Sequence, residues 1–517
     1  MRTNIKDWLS SVLFKKIENK RYWIILSLIV KGLIFLVLLY SNILQPYHHG
    51  GFWGWLDGDS GSYVDPVDHF LSSGNYTPDL RMPGYGVIYL IPRLFFSKET
   101  SYNILIMLQF LTAAVSVYYL GLLARALFKN TAIFYIAFYL FLFSHVTNYL
   151  DDSIMTESFC TSFLVFASYT FVKYFETGNI FNLVSSGLLF TWAIFLRPIF
   201  ILILPMVLFI LFIAEWKQKK TINIKPLLLF ILPFVIIDSL WIVRNYSVHK
   251  TFQPLTSLAY PAYTEVLPAM DFVKSWGGTY HPWRRESAVC WFGFYIKNNP
   301  NYTVPDGDIP QALERKLGHN YLYTSKFNYD SLLQLKNMVI QLRDSAHNTQ
   351  QKNNNLRQLI IERFKVYTSS VKEEKPYLYY VKSRMEYLEL LFMPDHDDDA
   401  MVSPAVQNNN ISTLLYSGIT WLYIKILSKL GSLLYPIILY GGLIGLFLTI
   451  LYGIKSSFIA LLIAAPILNT LLPSILLNLD ENRYIIPMWP FLIICLAYLT
   501  ITLYRYLSSK ILNRSTV

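Results

Sequence analysis

The chain has 517 residues, of which 54% are hydrophobic and 15% charged, against roughly 25% charged in ordinary soluble domains. Its apolar residues run in long, almost uncharged blocks, which excludes a soluble fold and predicts an all-α polytopic membrane protein. The three cysteines show no CxxC or Cys/His metal spacing, and the net charge of +11 flanks the apolar blocks without forming a cluster, so no metal centre and no nucleic-acid partner is expected.

Arg2, Lys6, Lys15, Lys16, Lys20 and Arg21 precede the first apolar block, which runs from Tyr22 to Gln45. A bilayer crossing takes roughly 20 apolar residues and a signal-peptide core only roughly 7–15. This block is of the longer kind, no small-residue cleavage site follows it, and it is expected to stay in the membrane. The loop after it, 45–101, carries WLDGDSGSY (55–63) and RMPGYG (81–86). Further spans are expected near 102–122, 131–148, 158–175, 181–196, 199–215, 224–243, 432–454, 457–477 and 485–506, about ten in all.

Charge gives these spans a direction. Arg125 and Lys129, Lys173, Lys217, Lys219 and Lys220, and Lys455 all fall where the positive-inside rule requires them if the chain starts in the cytoplasm. Both termini are then cytoplasmic, and Arg505, Lys510 and Arg514 close the last span on that side. The expectation is a multi-pass protein of the cell (inner) membrane whose outer face carries the 45–101 loop, a turn at 149–157 and a long segment, 244–431. Three regions follow: a transmembrane module over 1–243, an extracytoplasmic α-rich or mixed domain over 244–431, and C-terminal helices over 432–517. The middle region is polar but rich in aromatics (Trp276, Trp283, Trp291, Tyr377, Tyr379, Tyr380), as a folded or interface-hugging domain would be. Helical periodicity marks 334–366, and 411–430 reads as an amphipathic helix at the interface, with Lys425 and Lys429 on its wet face.

Every outer turn delivers ionisable residues: Asp57, Asp59 and Arg81, then Asp151, Asp152 and Glu157, then Arg197, Arg244, and finally Glu481 and Arg483. Loop solvation and snorkelling account for such a residue singly. As a set they place acids in the two early turns and bases in the later ones, and ionisable groups at membrane depth mark substrate paths. A carboxylate can take the proton of an acceptor hydroxyl while guanidinium groups stabilise a departing phosphate. No cofactor is required for such a transfer; a divalent cation is possible but has no support in the sequence.

Asp59-Ser-Gly-Ser-Tyr63, Gly74, Tyr76 and Arg81-Met-Pro83-Gly-Tyr85 resemble the first external loop of GT-C glycosyltransferases, on the branch of the protein O-mannosyltransferases and the lipid A aminoarabinose transferase. Met155-Thr156-Glu157, Leu196-Arg197-Pro198, Trp241 to Arg244-Asn245-Tyr246, and Asn482-Arg483-Tyr484 with Pro487 follow in the family's order. The resemblance covers roughly 20–250 and 430–506. It implies an inverting transfer of sugar from a polyprenyl-phosphate carrier in the membrane lipid to an extracytoplasmic lipid, glycan or protein. It places Asp59 at the catalytic base, with Asp57, Tyr63 and Tyr85 supporting it, and the second-loop acid at Asp151 or Asp152. Ser60 stands where many relatives carry Glu, which shifts weight to Asp152 or Glu157. Arg197 and Arg483 would face the lipid phosphate, and Arg81 and Arg244 could serve either substrate.

Inversion is one displacement at the anomeric carbon, so a base and a stabilised leaving group suffice, whereas glycosidases need a proton donor. No Gly-rich nucleotide loop argues for a nucleotide-sugar donor. Asp395-His-Asp-Asp-Asp399 reads as a solvated acidic turn more simply than as a cation site, and His48-His49 and His145 as interfacial packing. Cys160 and Cys495 read as core residues, and Asn301-Tyr-Thr303 and Asn410-Ile-Ser412 fit a glycosylation pattern that matters only in a eukaryotic secretory compartment. The competing classes are a flippase for a lipid-linked saccharide, for which interrupted helices in inverted repeats are expected, and a non-catalytic envelope-assembly protein, which would not need the Asp/Arg set. Composition gives no oligomeric state.

Overall fold

The computed structural model describes residues 17–43, 51–56, 59–78, 81–148, 150–220, 223–250, 252–255, a few short stretches between 268 and 341, 350–392, 419–477 and 482–514. Asp57, His48-His49, Glu481, the Asp395–Asp399 run, both glycosylation patterns and Trp276, Trp283 and Trp291 lie outside the described residues. The described residues are helical, with one isolated bridge between Trp55 and Ser153. The protein is thus an all-α polytopic membrane protein.

In chain order the helices are α1 (Lys20–Ile43), α2 (Ser60–Ser73), α3 (Gly84–Arg93), α4 (Lys98–Phe128), α5 (Thr131–Leu142), the single turn α6 (His145–Asn148), α7 (Glu157–Thr177) and α8 (Ile180–Leu196). A 3₁₀ turn, Pro198–Leu202, leads into α9 (Ile203–Lys219), followed by α10 (Lys225–His249). Then come α11 (Gln350–Glu374), α12 (Ser383–Phe392), α13 (Ile419–Lys455), α14 (Ala464–Leu477) and α15 (Trp489–Arg514). Five described stretches are long and apolar enough to cross a membrane: Lys98–Phe128, Pro198–Lys217, Lys225–Val248, Leu433–Lys455 and Arg483–Lys510. Shorter apolar helices, Thr131–Leu142 and Ile180–Leu196 among them, stand beside these.

Local chemistry sets the helix ends. Ser97 accepts the amide of Thr100 to start α4, Asn130 that of Ala132 to start α5, and Asn179 that of Phe181 to start α8, each satisfying a donor the helix leaves open. α7 and α8 therefore form a hairpin closed by Gly178, which takes the left-handed conformation at φ 67°.

The chain divides into two compact units: residues 1–258, 396–470 and 485–517 in the first, and 259–395 and 471–484 in the second. In the first, Trp23 of α1 packs among Phe134, Tyr135, Phe138 and Tyr139 of α5. Gly441, Gly442 and Gly445 form a small-residue face on α13 that closes on Leu492, Cys495 and Leu496 of α15, the packing that lets apolar helices approach without a hydrophobic driving force. At the end away from the 45–101 loop, Glu18 pairs with Arg125 at 3.2 Å and the ammonium of Lys20 donates to the Tyr119 hydroxyl at 3.0 Å.

The second unit is built on α11, whose Phe364 and Tyr367 meet Phe272 and Phe327 in one aromatic cluster. Within 334–366, the described residues 334, 335, 337, 338 and 341 are helical and 350–366 belong to α11, with residues 342–349 outside the described set.

One expectation needs correction. Residues 419–430 are not a separate interfacial helix; they are the opening turns of α13, a continuous helix of 37 residues. Nothing between Ile419 and Lys455 ends it. Gly431 sits inside against the side chain of His145, and Pro436, a residue that bends helices and removes one backbone bond, lies within the helix without ending it.

Candidate active site

The first loop is laid along the Lys98 end of α4. Asn103 of α4 accepts the Trp53 amide at 2.9 Å and donates to the Gly51 carbonyl at 2.7 Å. Next, the Trp55 amide donates to the Asp152 carbonyl at 3.1 Å and its carbonyl accepts from the Ile154 amide at 3.3 Å. This one bridge needs Gly54, because a Cβ there would collide with the Asp152 carbonyl oxygen. The Ser60 hydroxyl adds a bond to the Ile154 carbonyl at 2.9 Å. The two acid-bearing turns are therefore a single layer, with Gln109 of α4 beneath them donating to the Ser153 carbonyl at 2.7 Å.

Asp59 stands at the start of α2. An aspartate at that place commonly caps the helix with its carboxylate, but here the carboxylate does not cap it; the Asp59 carbonyl receives the Ser62 amide and hydroxyl instead. The carboxylate goes to Arg81, whose Nη2 lies 2.8 Å from Oδ1. Arg81 is itself fixed by a bond from Nε to the Ser62 hydroxyl at 2.9 Å and by the Tyr63 ring 4.6 Å below its guanidinium. Both side chains of the pair are about a third exposed, at 32% and 28%. Pairs so placed add only about 0–1 kcal/mol to stability; the consequence of this one is orientation.

The Arg81-Met-Pro-Gly turn packs on two other motif stretches. A Cβ at Gly84 would stand 2.5 Å from the Phe195 carbonyl group, so RMPGYG rests directly on the backbone of Phe195-Leu196-Arg197. Met82 joins Phe195 and Trp241 in a buried cluster. Above Trp241 lies Arg244, its guanidinium 5.0 Å from the indole, donating to the Tyr76 carbonyl and, at 3.0 Å, to Asn245. Burial pushes the Tyr76 phenol up to about 12, so it stays neutral in any ordinary medium. Behind the turn, Tyr85 is buried against Tyr63 and Phe159 and donates to Gln109 at 2.5 Å.

The second turn carries two buried ion pairs. Lys31, at the midpoint of α1, meets Asp151 at 2.6 Å, and the other Asp151 oxygen accepts the Ser158 hydroxyl at 2.6 Å. Burial pushes the Asp151 carboxyl up, against the lowering by Lys31 and Ser158. Glu157, fully buried at the first position of α7, pairs with Arg197 at the end of α8, so the hairpin of α7 and α8 is clipped at its open end. Removing one partner of such a pair costs about 3–5 kcal/mol, since the other charge stays buried.

The structure thus gathers Asp59, Arg81, Tyr63, Tyr85, Asp151, Asp152, Glu157, Arg197 and Arg244 into one contact network in the first unit. Asp152 is buried with 1% of its surface exposed. Arg483 belongs to the second unit, on the 3₁₀ segment Asn482–Met488, and Asp57 is outside the described residues. Among the described residues no group of three His, Cys, Asp or Glu gathers to hold a metal ion. Pattern reading missed Lys31 and Gln109, polar side chains isolated in apolar runs. It also missed a brace on the first loop in which Asp68 meets Arg93 at 2.7 Å and Lys98 at 3.1 Å, with Asp65 at 3.2 Å from Lys98. The i, i+3 spacing of Asp65 and Asp68 was its available signal.

Residues 85–242 match the sequence model of the dolichyl-phosphate-mannose-protein mannosyltransferase family, less than half of the chain. No curated protein and no solved structure matches it. The match takes in Tyr85, Asp151, Asp152, Glu157 and Arg197, while Asp59, Arg81 and Arg244 lie outside it and are joined to it by the contacts above. Residues 85–242, with the apolar helices they form, are those of a membrane glycosyltransferase of the GT-C type.

Proposed function

We propose that the protein transfers a sugar from a polyprenyl-phosphate donor to a hydroxyl-bearing acceptor at the outer face of the cell membrane, with inversion at the anomeric carbon. The family's printed donor, dolichyl-phosphate-mannose, supports a lipid-phosphate sugar of this class. The observation that carries the reading is the Asp59–Arg81 pair: it is held rigidly on both sides yet partly open, whereas Asp151, Asp152, Glu157 and Arg197 are all buried. An acceptor approaching the network meets Asp59 first.

In this reading Asp59 takes the acceptor proton as the acceptor oxygen forms its bond to the anomeric carbon. The bond from that carbon to the phosphate oxygen breaks on the opposite face, and its electron pair leaves with polyprenyl phosphate. Arg81 keeps the carboxylate oriented, a positioning effect that matters because reacting groups must sit within a narrow range of geometry. Arg197, oriented by Glu157, and Arg244, oriented by Trp241 and Tyr76, are the cations proposed for the lipid phosphate. Asp152 and Glu157 complete the acid set. No resident cofactor is part of the proposal.

The test is transfer from polyprenyl-phosphate mannose and other polyprenyl-phosphate sugars in membrane vesicles that retain the native acceptors. Asp59→Asn is expected to lower the rate by at least about 10²-fold, the lower range for loss of a general base, with an unchanged melting profile in detergent. Wild-type rates in that variant overturn the assignment.

A further inference from the structure

Lys31 has no counterpart among the motif residues, yet it is a buried, paired cation within a described apolar helix. It sits at the midpoint of a 24-residue apolar helix and is 3% exposed. A lysine at such a place is costly to insert and is kept where it has a partner and a task. Its partner is Asp151, and because Ser158 occupies the second oxygen, both carboxylate oxygens are engaged. The turn that follows Asp151 is then bonded residue by residue to the first loop: the Asp152 carbonyl to Trp55, the Ile154 amide to Trp55, the Ile154 carbonyl to Ser60. Ser60 is the neighbour of Asp59.

We propose that Lys31 is a positioning residue for the Asp59 centre: by clamping Asp151 it fixes the height of the second turn, and through the Trp55 bridge and Ser60 it fixes Asp59. The role rests on the proposed reaction at Asp59. The clamp divides the acid pair of the second turn. Asp151 belongs to the scaffold, and Asp152 is left as the acid that serves the reaction. Lys31 itself, buried against Asp151, touches neither substrate.

The experiment has one arm that reads the clamp and one that reads transfer. In a chain with Cys160, Cys290 and Cys495 each replaced by Ala, Trp55→Cys and Ser153→Cys are expected to form an oxidative cross-link in native membranes, since the two positions oppose each other across the bridge. Lys31→Met is expected to reduce cross-link yield severalfold, and Lys31→Arg to restore most of it. The double variant Lys31→Met with Asp151→Asn leaves no unpaired buried charge and is expected to fold, with the cross-link still reduced because the clamp is gone.

In the wild-type background, Lys31→Met is expected to lower kcat for transfer from polyprenyl-phosphate mannose by on the order of 10²-fold, as a misplacement of about 1 Å does, with donor KM unchanged. A purely structural lysine would instead lower the folded fraction and leave kcat per folded molecule intact. That result overturns the proposal, as does an undiminished cross-link in the double variant or a fall in kcat without a fall in cross-linking. If the cross-link follows Lys31 as expected while the wild type transfers none of the sugars offered, the clamp stands and the proposed reaction fails.

Discussion

At the residue scale, the site depends on atoms that are missing as much as on those present. Gly84 is the contact between RMPGYG and the strand of backbone that ends in Arg197, and the Phe195 carbonyl leaves no room for a methyl group. Gly84→Ala is expected to cost about 1–3 kcal/mol, the range for forced overpacking, read as a lowered melting temperature in detergent. It should also slow transfer, because Arg81 and Arg197 are separated by the added volume. The motif residues stood out in sequence since each belongs to a recognisable short pattern, but their spacing did not show which of them touch. Lys31 was not legible. One lysine in an apolar run reads as noise until its carboxylate is located, and that lies 120 residues away. Nor did spacing choose between Asp151 and Asp152. Lys31 and Ser158, both on the Asp151 carboxylate, separate their surroundings.

At the element scale, the long helices were legible because unbroken apolar runs admit no other structure in lipid. The short helices of the first loop were not, since α2 and α3 owe their place to the brace of Asp65, Asp68, Arg93 and Lys98 and to the edge of α4. The opening of α13 was read as a separate element at 411–430, whereas the chain runs from Ile419 to Lys455 as one helix. In the second unit, α11 ends in a pH-sensitive fastening. Glu374 accepts the Ser325 hydroxyl and, at 2.8 Å, its amide, and these bonds hold its carboxyl below the usual range. A carboxyl lowered in the folded state contributes stability above its unfolded value, roughly 4.3, and loses it as pH falls through the folded one. Exchange of the Ser325 amide is therefore expected to speed up in Glu374→Gln at neutral pH, and wild type and variant should converge once the medium is more acidic than the lowered carboxyl.

At the scale of the whole molecule, the helices put two sets of residues at opposite ends of the first unit. The first loop, with Asp65, packs at the Lys98 end of α4, and Lys129 follows the other end of that helix. The proposed orientation assigns Lys129 and Gly178 to the cytoplasm and Asp65 to the outside. Single cysteines at these three positions, in a chain without the natural ones, are expected to react with a membrane-impermeant maleimide accordingly: Asp65→Cys in intact cells, Lys129→Cys and Gly178→Cys only in inverted vesicles. The reverse pattern would turn the molecule over and put Asp59 on the wrong side for an outer acceptor. Charge is the only ground in the sequence for this orientation, and no pattern marked residues 471–484, which the second unit recruits from far along the chain.

The Lys31–Asp151 pair also imposes a schedule on synthesis. Its two halves are 120 residues apart, and a ribosome adds about 5–20 residues per second. Lys31 therefore waits roughly 6 to 24 seconds for its counter-ion, during which the first helix has a bare cation at its centre. The insertion machinery must shelter that helix, or leave it short of full depth, until the second turn has been made. Full seating of the first helix therefore follows synthesis of the second turn.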